Sequence, residues 1–156
     1  MPTLISHDTI TPISQDGWEL AEVGAPVNGS RRIVPVDDWR PESGDGLHLP
    51  GDAEPEARFS EAPLIAINFA NFSDGRGLSL AVLLRTRFNF TGELRAIGDV
   101  HPELLYYLRR CGFDSYLLPD GRRAETALST LAPYTDYYQA SVLEPNPAHR
   151  RIRRFA

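Results

Sequence analysis

Two short turns carry the side chains of this chain that are best suited to chemistry. Asp74-Gly75-Arg76 and Asp99-Val100-His101 each place a carboxylate two residues before a basic group, and Ser73 precedes the first turn. An arginine can hold sulfate, phosphate or carboxylate through two parallel hydrogen bonds. A histidine beside an aspartate can act as a general acid or base. The candidate ligand-binding residues are therefore Ser73, Asp74, Arg76, Asp99 and His101.

The same residues also have a purely structural interpretation. Aspartates in turns cap the helices that follow them, and each such cap contributes about 1 kcal/mol. His101 can equally be an exposed histidine at a helix start, because one intervening residue does not fix its geometry relative to Asp99. The residue types predict a ligand site without assigning any catalytic residue.

The surrounding pattern predicts the elements that must position these turns. A mostly apolar run is expected of a strand covered on both faces, and a stripe of leucines with a period near 3.6 indicates a helix. Because parallel strands need crossover helices, the alternation predicts an α/β fold with a parallel βαβαβ core. The predicted elements are a strand at 64–69, a helix with its stripe at 78–84, a strand at 93–97, a helix from 101 to 112, a strand at 113–118 and a helix at 122–131.

Under this fold, each candidate turn follows a strand. Ligands of open parallel sheets bind at the carboxyl ends of the strands, and free N–H groups at helix starts suit an anion. Asp120 and Arg122 follow the third strand and would join the same end. The sequence therefore predicts a small-anion site at this edge.

The whole chain, residues 1–156, is expected to form a single domain. It divides into an irregular or β-rich N-terminal extension at 1–60, the core at 61–132 and a tail at 133–156. Short strands are expected at 18–23 and 32–36, a loop at 41–55 and one more strand within 134–142. The arginine-rich end is expected to be a solvated, mobile tail. Exposed sheet edges would favour a homodimer.

Composition excludes several kinds of chemistry. All 16 Lys+Arg residues are arginine, so no lysine is present to form a Schiff base or to serve a phosphate-binding loop. One cysteine cannot hold an iron–sulfur cluster or form a redox pair within the chain. No GxGxxG or GxSxG motif occurs. We therefore predict no cofactor and no metal site.

Charge and hydropathy restrict the partners. The formal net charge is -5, which argues against nucleic-acid binding. No stretch approaches the roughly 20 apolar residues of a membrane helix, and the first residues lack the basic start and apolar core of a secretory signal. The sequence indicates a cytoplasmic protein without membrane or nucleic-acid partners.

Cys111 is the one residue that could suggest redox chemistry. It is predicted at a helix C-terminus, away from the carboxyl ends of the strands. The negative end of a helix dipole disfavours a thiolate, although Arg109 and Arg110 would offset this effect. The position favours a structural cysteine.

Several motifs between residues 60 and 118 resemble one bacterial family. They are Gly75-Arg76-Gly77, Gly92-Glu93-Leu94-Arg95-Ala96, Gly98-Asp99-Val100 and Arg110-Cys111-Gly112-Phe113-Asp114. The chain is similar in these motifs to a bacterial family of unknown function that carries the label "probable oxidoreductase". Genes of that family often lie beside genes for sulfite reductase and sulfate assimilation.

The resemblance implies a role in sulfur assimilation. We expect an accessory or regulatory protein of sulfite or sulfate reduction, with sulfite reductase or another sulfur-assimilation enzyme as partner. The family supplies no catalytic residues to carry over, and His101-Pro102-Glu103-Leu104 departs from its usual polar run. The alternative is a small anion-binding enzyme or sensor that uses the turns at the carboxyl ends of the strands.

Overall fold

The structure is a computed structural model that describes residues 1–6, 9–21 and 31–151. Its strands are β1 Thr3–Ser6, β2 Thr9–Pro12, β3 Trp18–Leu20, β4 Arg31–Pro35, β5 Gly46–Pro50, β6 Leu64–Phe69, β7 Glu93–Gly98 and β8 Ser115–Leu118. Its α-helices are α1 Arg76–Thr86, α2 Leu105–Arg110, α3 Ala124–Thr130 and α4 Ala148–Arg151. Short 3₁₀ turns cover Ile13–Gln15, Pro41–Ser43, Ala57–Glu61 and Pro102–Leu104.

All eight strands form one sheet in the order β2-β1-β8-β7-β6-β5-β4-β3. The strands from β3 to β8 are mutually parallel, and β1 runs antiparallel to both β2 and β8. The predicted α/β fold with a parallel βαβαβ core is confirmed. The register sets Ile65 beside Leu94 and Arg95 beside Ser115, as successive parallel strands require.

The N-terminal sixty residues contribute more to this sheet than their sequence suggests. Five of the strands, β1 to β5, come from this part of the chain. The predicted loop at 41–55 is wrong at Gly46–Pro50, which forms β5 between β4 and β6. Glycine and proline flank this short segment, so its apolar alternation is hard to recognise in the sequence. Pairing with β6 along four residues overrides the local preference of glycine and proline for a loop.

The predicted strand within 134–142 is also wrong. The described backbone there consists of bends and irregular segments, which pack along the helical side through contacts such as the Val142 N–H donating to the Arg110 carbonyl at 3.1 Å. The two predicted N-terminal strands appear as β3 and β4, although residues 22 and 23 lie outside the described residues. The extreme end, 152–156, lies outside them as well.

The sheet must curl, because a short segment joins its two edges. β2 and β3 lie at opposite edges, seven strand spacings or about 34 Å apart along the sheet. The chain from Pro12 to Trp18 can reach at most about 22 Å. This bridging segment, residues 13–17, therefore crosses the concave side of the sheet. We call that side the inner face.

The two faces of the sheet bury different side chains. On the outer face, Ile65, Ile67 and Leu94 belong to the main core together with Leu80 and Leu84 of α1. Fully burying a leucine contributes about 1.5–3 kcal/mol, so this face supplies most of the apolar stabilisation. The inner face holds a smaller cluster of Ile33, Leu64, Ala66 and Ile97 and also carries polar groups.

Candidate functional site

Three side chains that the sequence placed at this end of the sheet meet beyond the carboxyl ends of β7 and β8. His101 Nε2 lies 2.9 Å from Asp99 Oδ1 and 2.7 Å from Arg122 Nη2. Arg122 Nη2 also lies 3.7 Å from Asp99 Oδ1. The ring of Phe72, from the loop after β6, contacts the His101 ring at a centroid distance of 4.7 Å. These four residues form the His101 cluster.

The His101 ring nitrogen Nε2 faces one donor and one acceptor at once. When protonated, it can donate to Asp99; when unprotonated, it can accept from Arg122. A single nitrogen cannot do both, so the tautomer of the ring selects the partner of Nε2. The other ring nitrogen, Nδ1, lies 4.0 Å from a carboxylate oxygen of Glu103. The site thus contains an imidazole whose ring nitrogens both face carboxylates.

The backbone around Gly98 fixes where Asp99 stands. Gly98 has φ +90, and a Cβ there would lie 2.4 Å from both Asn68 Oδ1 and the Phe69 carbonyl oxygen. The Asp99 N–H donates to that Phe69 carbonyl at 2.8 Å, and the Phe72 N–H donates to Asp99 Oδ2 at 2.9 Å. Asp99 therefore ties the loops after β6 and β7 together, whereas the helical turn that follows it, Pro102–Leu104, has no side-chain cap.

The other predicted residues form a separate group around Arg76. Its guanidinium donates to Asp74 at 2.7 and 2.9 Å and to Asp52 at 3.0 Å. The side-chain hydrogen bond from Arg76, followed by its backbone N–H, lowers the pKa of Asp74 to about 2. The carboxylates in turn raise the pKa of Arg76. The Ser73 hydroxyl donates to Asn71 Oδ1 at 2.8 Å rather than to this group.

The structure thus places all five predicted residues beyond the carboxyl ends of β6 and β7, and four of them lie in two clusters. Asp99 and His101 belong to the His101 cluster, with Arg122 as an addition. Asp74 and Arg76 belong to the second group, which Asp52 of the loop after β5 completes. Among the described residues, no hydrogen bond or ion pair joins the two groups. Asp120 instead pairs with the amino group of Met1 at 2.7 Å.

Sequence reasoning missed Arg95, the buried arginine on the inner face. It forms an ion pair with Asp16 of the bridging segment and donates to Glu93 at 2.8 Å and Ser115 at 3.2 Å. Burial alone lowers the pKa of Arg95, but hydrogen bonds and charges from Asp16 and Glu93 outweigh it and raise that pKa. An arginine in the middle of an otherwise apolar strand was the signal in the sequence.

A cavity of about 710 Å³ lies between the chain at 13–20 and the inner face. Its polar lining includes His48, Asn68 and Arg95, from three neighbouring strands. Burial lowers the pKa of His48, and its buried Nε2 has no hydrogen-bond partner in the described structure. No motif pointed to His48, because the segment around it was predicted as loop.

Cys111 lies where the sequence placed it, at the C-terminus of α2. Its thiol is half-buried, and burial raises its pKa against the opposing charge of Arg110. A second cavity, of about 670 Å³, runs between this helix end and residues 139–145. Gly112, at φ +102, provides the predicted left-handed cap.

The residues around Asp114 form a network at the amino ends of the strands. Arg85 donates to Asp114 at 2.5 Å and to the carbonyls of Phe90, Gly92 and Gly112 at 2.8 to 2.9 Å. Asp114 also accepts the Leu94 N–H at 2.8 Å. Because each polar group here has a protein partner, this network is structural. Several residues of the family motifs, Gly92, Leu94, Gly112 and Asp114, take part in it.

Within 1–6, 9–21 and 31–151, no group of three or more His, Cys, Asp or Glu side chains is arranged to hold a metal ion. Over the same ranges, no helix has the length and apolar character needed to cross a bilayer.

A family model described as "Bacterial protein of unknown function (DUF934)" matches residues 46–149. The chain belongs to this family. The DUF934 match covers β5 to β8, both clusters on the carboxyl-end loops, and the helices on the outer face. No curated protein and no solved structure matches the chain.

Proposed function

We propose that the protein is a cytoplasmic accessory or regulatory component of assimilatory sulfite or sulfate reduction and is not itself the redox catalyst. The resemblance described above supports the pathway. The sequence supports the non-redox role, because one cysteine and no dinucleotide fingerprint leave few means of holding an electron carrier.

The pairing of the charged groups on the carboxyl-end loops carries the proposal. Arg76 is held by Asp52 and Asp74, and Arg122 contacts Asp99 and His101. A general base needs a ring nitrogen free to reach its substrate, whereas Nε2 of His101 lies within hydrogen-bond distance of both Asp99 and Arg122. Preorganised charge pairs of this kind suit recognition of a partner surface.

Phe72 gives this surface an apolar anchor. It is 48 % exposed, and its ring contacts His101 within the His101 cluster. Aromatic residues surrounded by polar groups are typical anchors at the centre of interfaces. We therefore assign the partner contact to Phe72 and its charged surroundings.

Co-purification and growth test this proposal together. The tagged protein should retain sulfite reductase under native salt, and its deletion should slow growth on sulfate but not on cysteine. Phe72→Ala should weaken both, whereas Tyr138→Ala, which removes an exposed aromatic from the C-terminal segment, should not. Retention of no sulfur-assimilation enzyme, together with normal growth of the deletion strain on sulfate, would contradict the proposal.

A second candidate function, a small-anion enzyme or sensor, has one observation in its favour. The Arg76 side chain is 62 % exposed and has a guanidinium within reach of solvent at the predicted edge. An anion would have to compete there with two carboxylates. Thermal shift with sulfate, sulfite and phosphate tests this candidate. A ligand at a hundredfold excess over its Kd raises the free energy of unfolding by about 2.7 kcal/mol. No shift with any of the three argues against it.

A further inference from the structure

The cavity behind the bridging segment has the size and position of a small-molecule site. Its volume of about 710 Å³ lies within the usual range of about 300–1,000 Å³ for ligand pockets. It extends along the inner face to Gly98 at the carboxyl end of β7, where barrel-like α/β proteins place their ligands. The apolar walls come from Ile13, Trp18, Leu20, Ile33, Ile97 and Leu117.

Two polar side chains of the cavity wall are available to a ligand. Asn68, on β6, forms no side-chain hydrogen bond within the described structure, and its Oδ1 lies over Gly98, where any side chain would collide with it. His48, on β5, lies one side-chain layer further in, since His48 pairs with Ala66 and Pro50 with Asn68. A carboxamide and a neutral imidazole together offer both donors and acceptors.

The charges around the cavity argue against an anion. Arg95 is already engaged by Asp16, Glu93 and Ser115, so it has little capacity left for a ligand. Glu19 adds a carboxylate to the wall. Among the described residues that line the cavity, two carboxylates, Asp16 and Glu19, outnumber the one guanidinium, Arg95, so an uncharged molecule enters at lower electrostatic cost than an anion.

We propose that this cavity binds a small, uncharged, planar molecule whose edge presents neighbouring hydrogen-bond donor and acceptor groups, as an aromatic carboxamide or lactam does. The apolar walls cover the faces of the ring, and Asn68 and His48 recognise its polar edge. This site is separate from the partner surface around Phe72, so either proposal can fail without the other.

Nicotinamide and nicotinate form a matched pair of probes, because they share a ring and differ by one negative charge. In ¹H–¹⁵N NMR titrations, nicotinamide should shift the Asn68 side-chain amide, the Gly98 backbone amide and the Trp18 indole signals. Nicotinate should leave them unchanged. Equal binding of both probes, shifts confined to another region, or no shift with nicotinamide at its solubility limit would each overturn the proposal.

Two variants test whether His48 and Asn68 recognise the polar edge of the ligand. His48→Phe keeps a ring but removes the nitrogens, and it should weaken nicotinamide binding about tenfold or more while the fold is retained, because it eliminates an unpartnered buried nitrogen. Asn68→Leu should weaken binding similarly and serves if His48→Phe fails to fold. His149→Phe, at a histidine stacked on Tyr138 and not lining the cavity, is the matched control and should bind normally. Unchanged affinity in a folded His48→Phe or Asn68→Leu protein would contradict the assigned roles.

Discussion

Asp16 and Arg95 form an ion pair between the bridging segment and a central strand of the sheet, 79 residues apart in the chain. Their side chains are only 7 % and 3 % exposed. Because both charges are removed from water, each depends on the other for compensation. The pair therefore fastens the segment that crosses the inner face and helps define the cavity beneath it.

Removing one member of this pair should be costly. Asp16→Asn leaves Arg95 with Glu93 as its one remaining carboxylate partner among the described residues, and we expect a loss of about 3 kcal/mol in the free energy of unfolding. Asp136→Asn, which removes an exposed pair with Arg151, should cost at most about 0.5 kcal/mol. Urea unfolding measures both, and similar losses would contradict the buried role. The double variant Asp16→Leu with Arg95→Leu should recover part of the loss.

Gly98 should tolerate no side chain. Gly98→Ala would place a Cβ 2.4 Å from two oxygen atoms, and we expect a loss of about 3 kcal/mol. Gly121 has a comparable φ of +82, but a Cβ there meets nothing within 4 Å. Gly121→Ala should therefore lower the free energy of unfolding by only about 1 kcal/mol, the cost of holding an alanine in a left-handed backbone conformation. Thermal and urea unfolding separate the two effects, and equal losses would show that close contact at Gly98 is unimportant.

Arg76 should control the titration of Asp74. A carboxyl group whose pKa is lower in the folded state stabilises the fold above its unfolded value of about 4. That contribution is lost as the pH falls through the folded value of about 2. Arg76→Ala should raise the pKa of Asp74, as followed by ¹³C NMR of its carboxyl group. The stability difference between wild type and Arg76→Ala should shrink between about pH 4 and pH 2.

Arg151→Ala is the control for this titration, because Arg151 pairs with Asp136 elsewhere. It should leave the titration of Asp74 unchanged. If Asp74 titrates identically in wild type and in Arg76→Ala, the ion pair at this loop is not formed in solution.

Cys111 should react slowly with thiol reagents. Its half-buried position raises its pKa, so the thiolate fraction at neutral pH is small. We expect iodoacetamide to label the native protein about tenfold more slowly than the protein in urea. Because the chain has 1 cysteine, mass spectrometry gives the rate directly. Equal rates would contradict the burial.

If the functional site lies on the carboxyl-end loops, replacing Cys111 should not affect function. Cys111→Ser should support sulfate-dependent growth, with a modest decrease in melting temperature, whereas Arg76→Ala should impair growth and leave the fold intact. Loss of growth in Cys111→Ser at an unchanged melting temperature would place the functional site at the opposite end of the sheet.

The sequence by itself determined the parallel core. The apolar run at Leu64–Phe69, the leucine stripe of α1 and the glycine cap at Gly112 are local patterns, and each formed as expected. The carboxyl-end position of Asp74 and Asp99 follows from that alternation, because parallel strands end at one edge. The grouping of Asp99 with Arg122, and of Arg76 with Asp52, needed loops from different strands to meet.

Only the tertiary structure decided the curl, the fifth strand and the inner cavity. β5 exists because β4 and β6 offer hydrogen-bonding partners on both sides, which no property of Gly46–Pro50 alone can indicate. The curl follows from pairing β1 with β8 while residues 13–17 return to the far edge. Such contacts join residues far apart in sequence, and their free energy depends on burial that exists only once the sheet has closed around them.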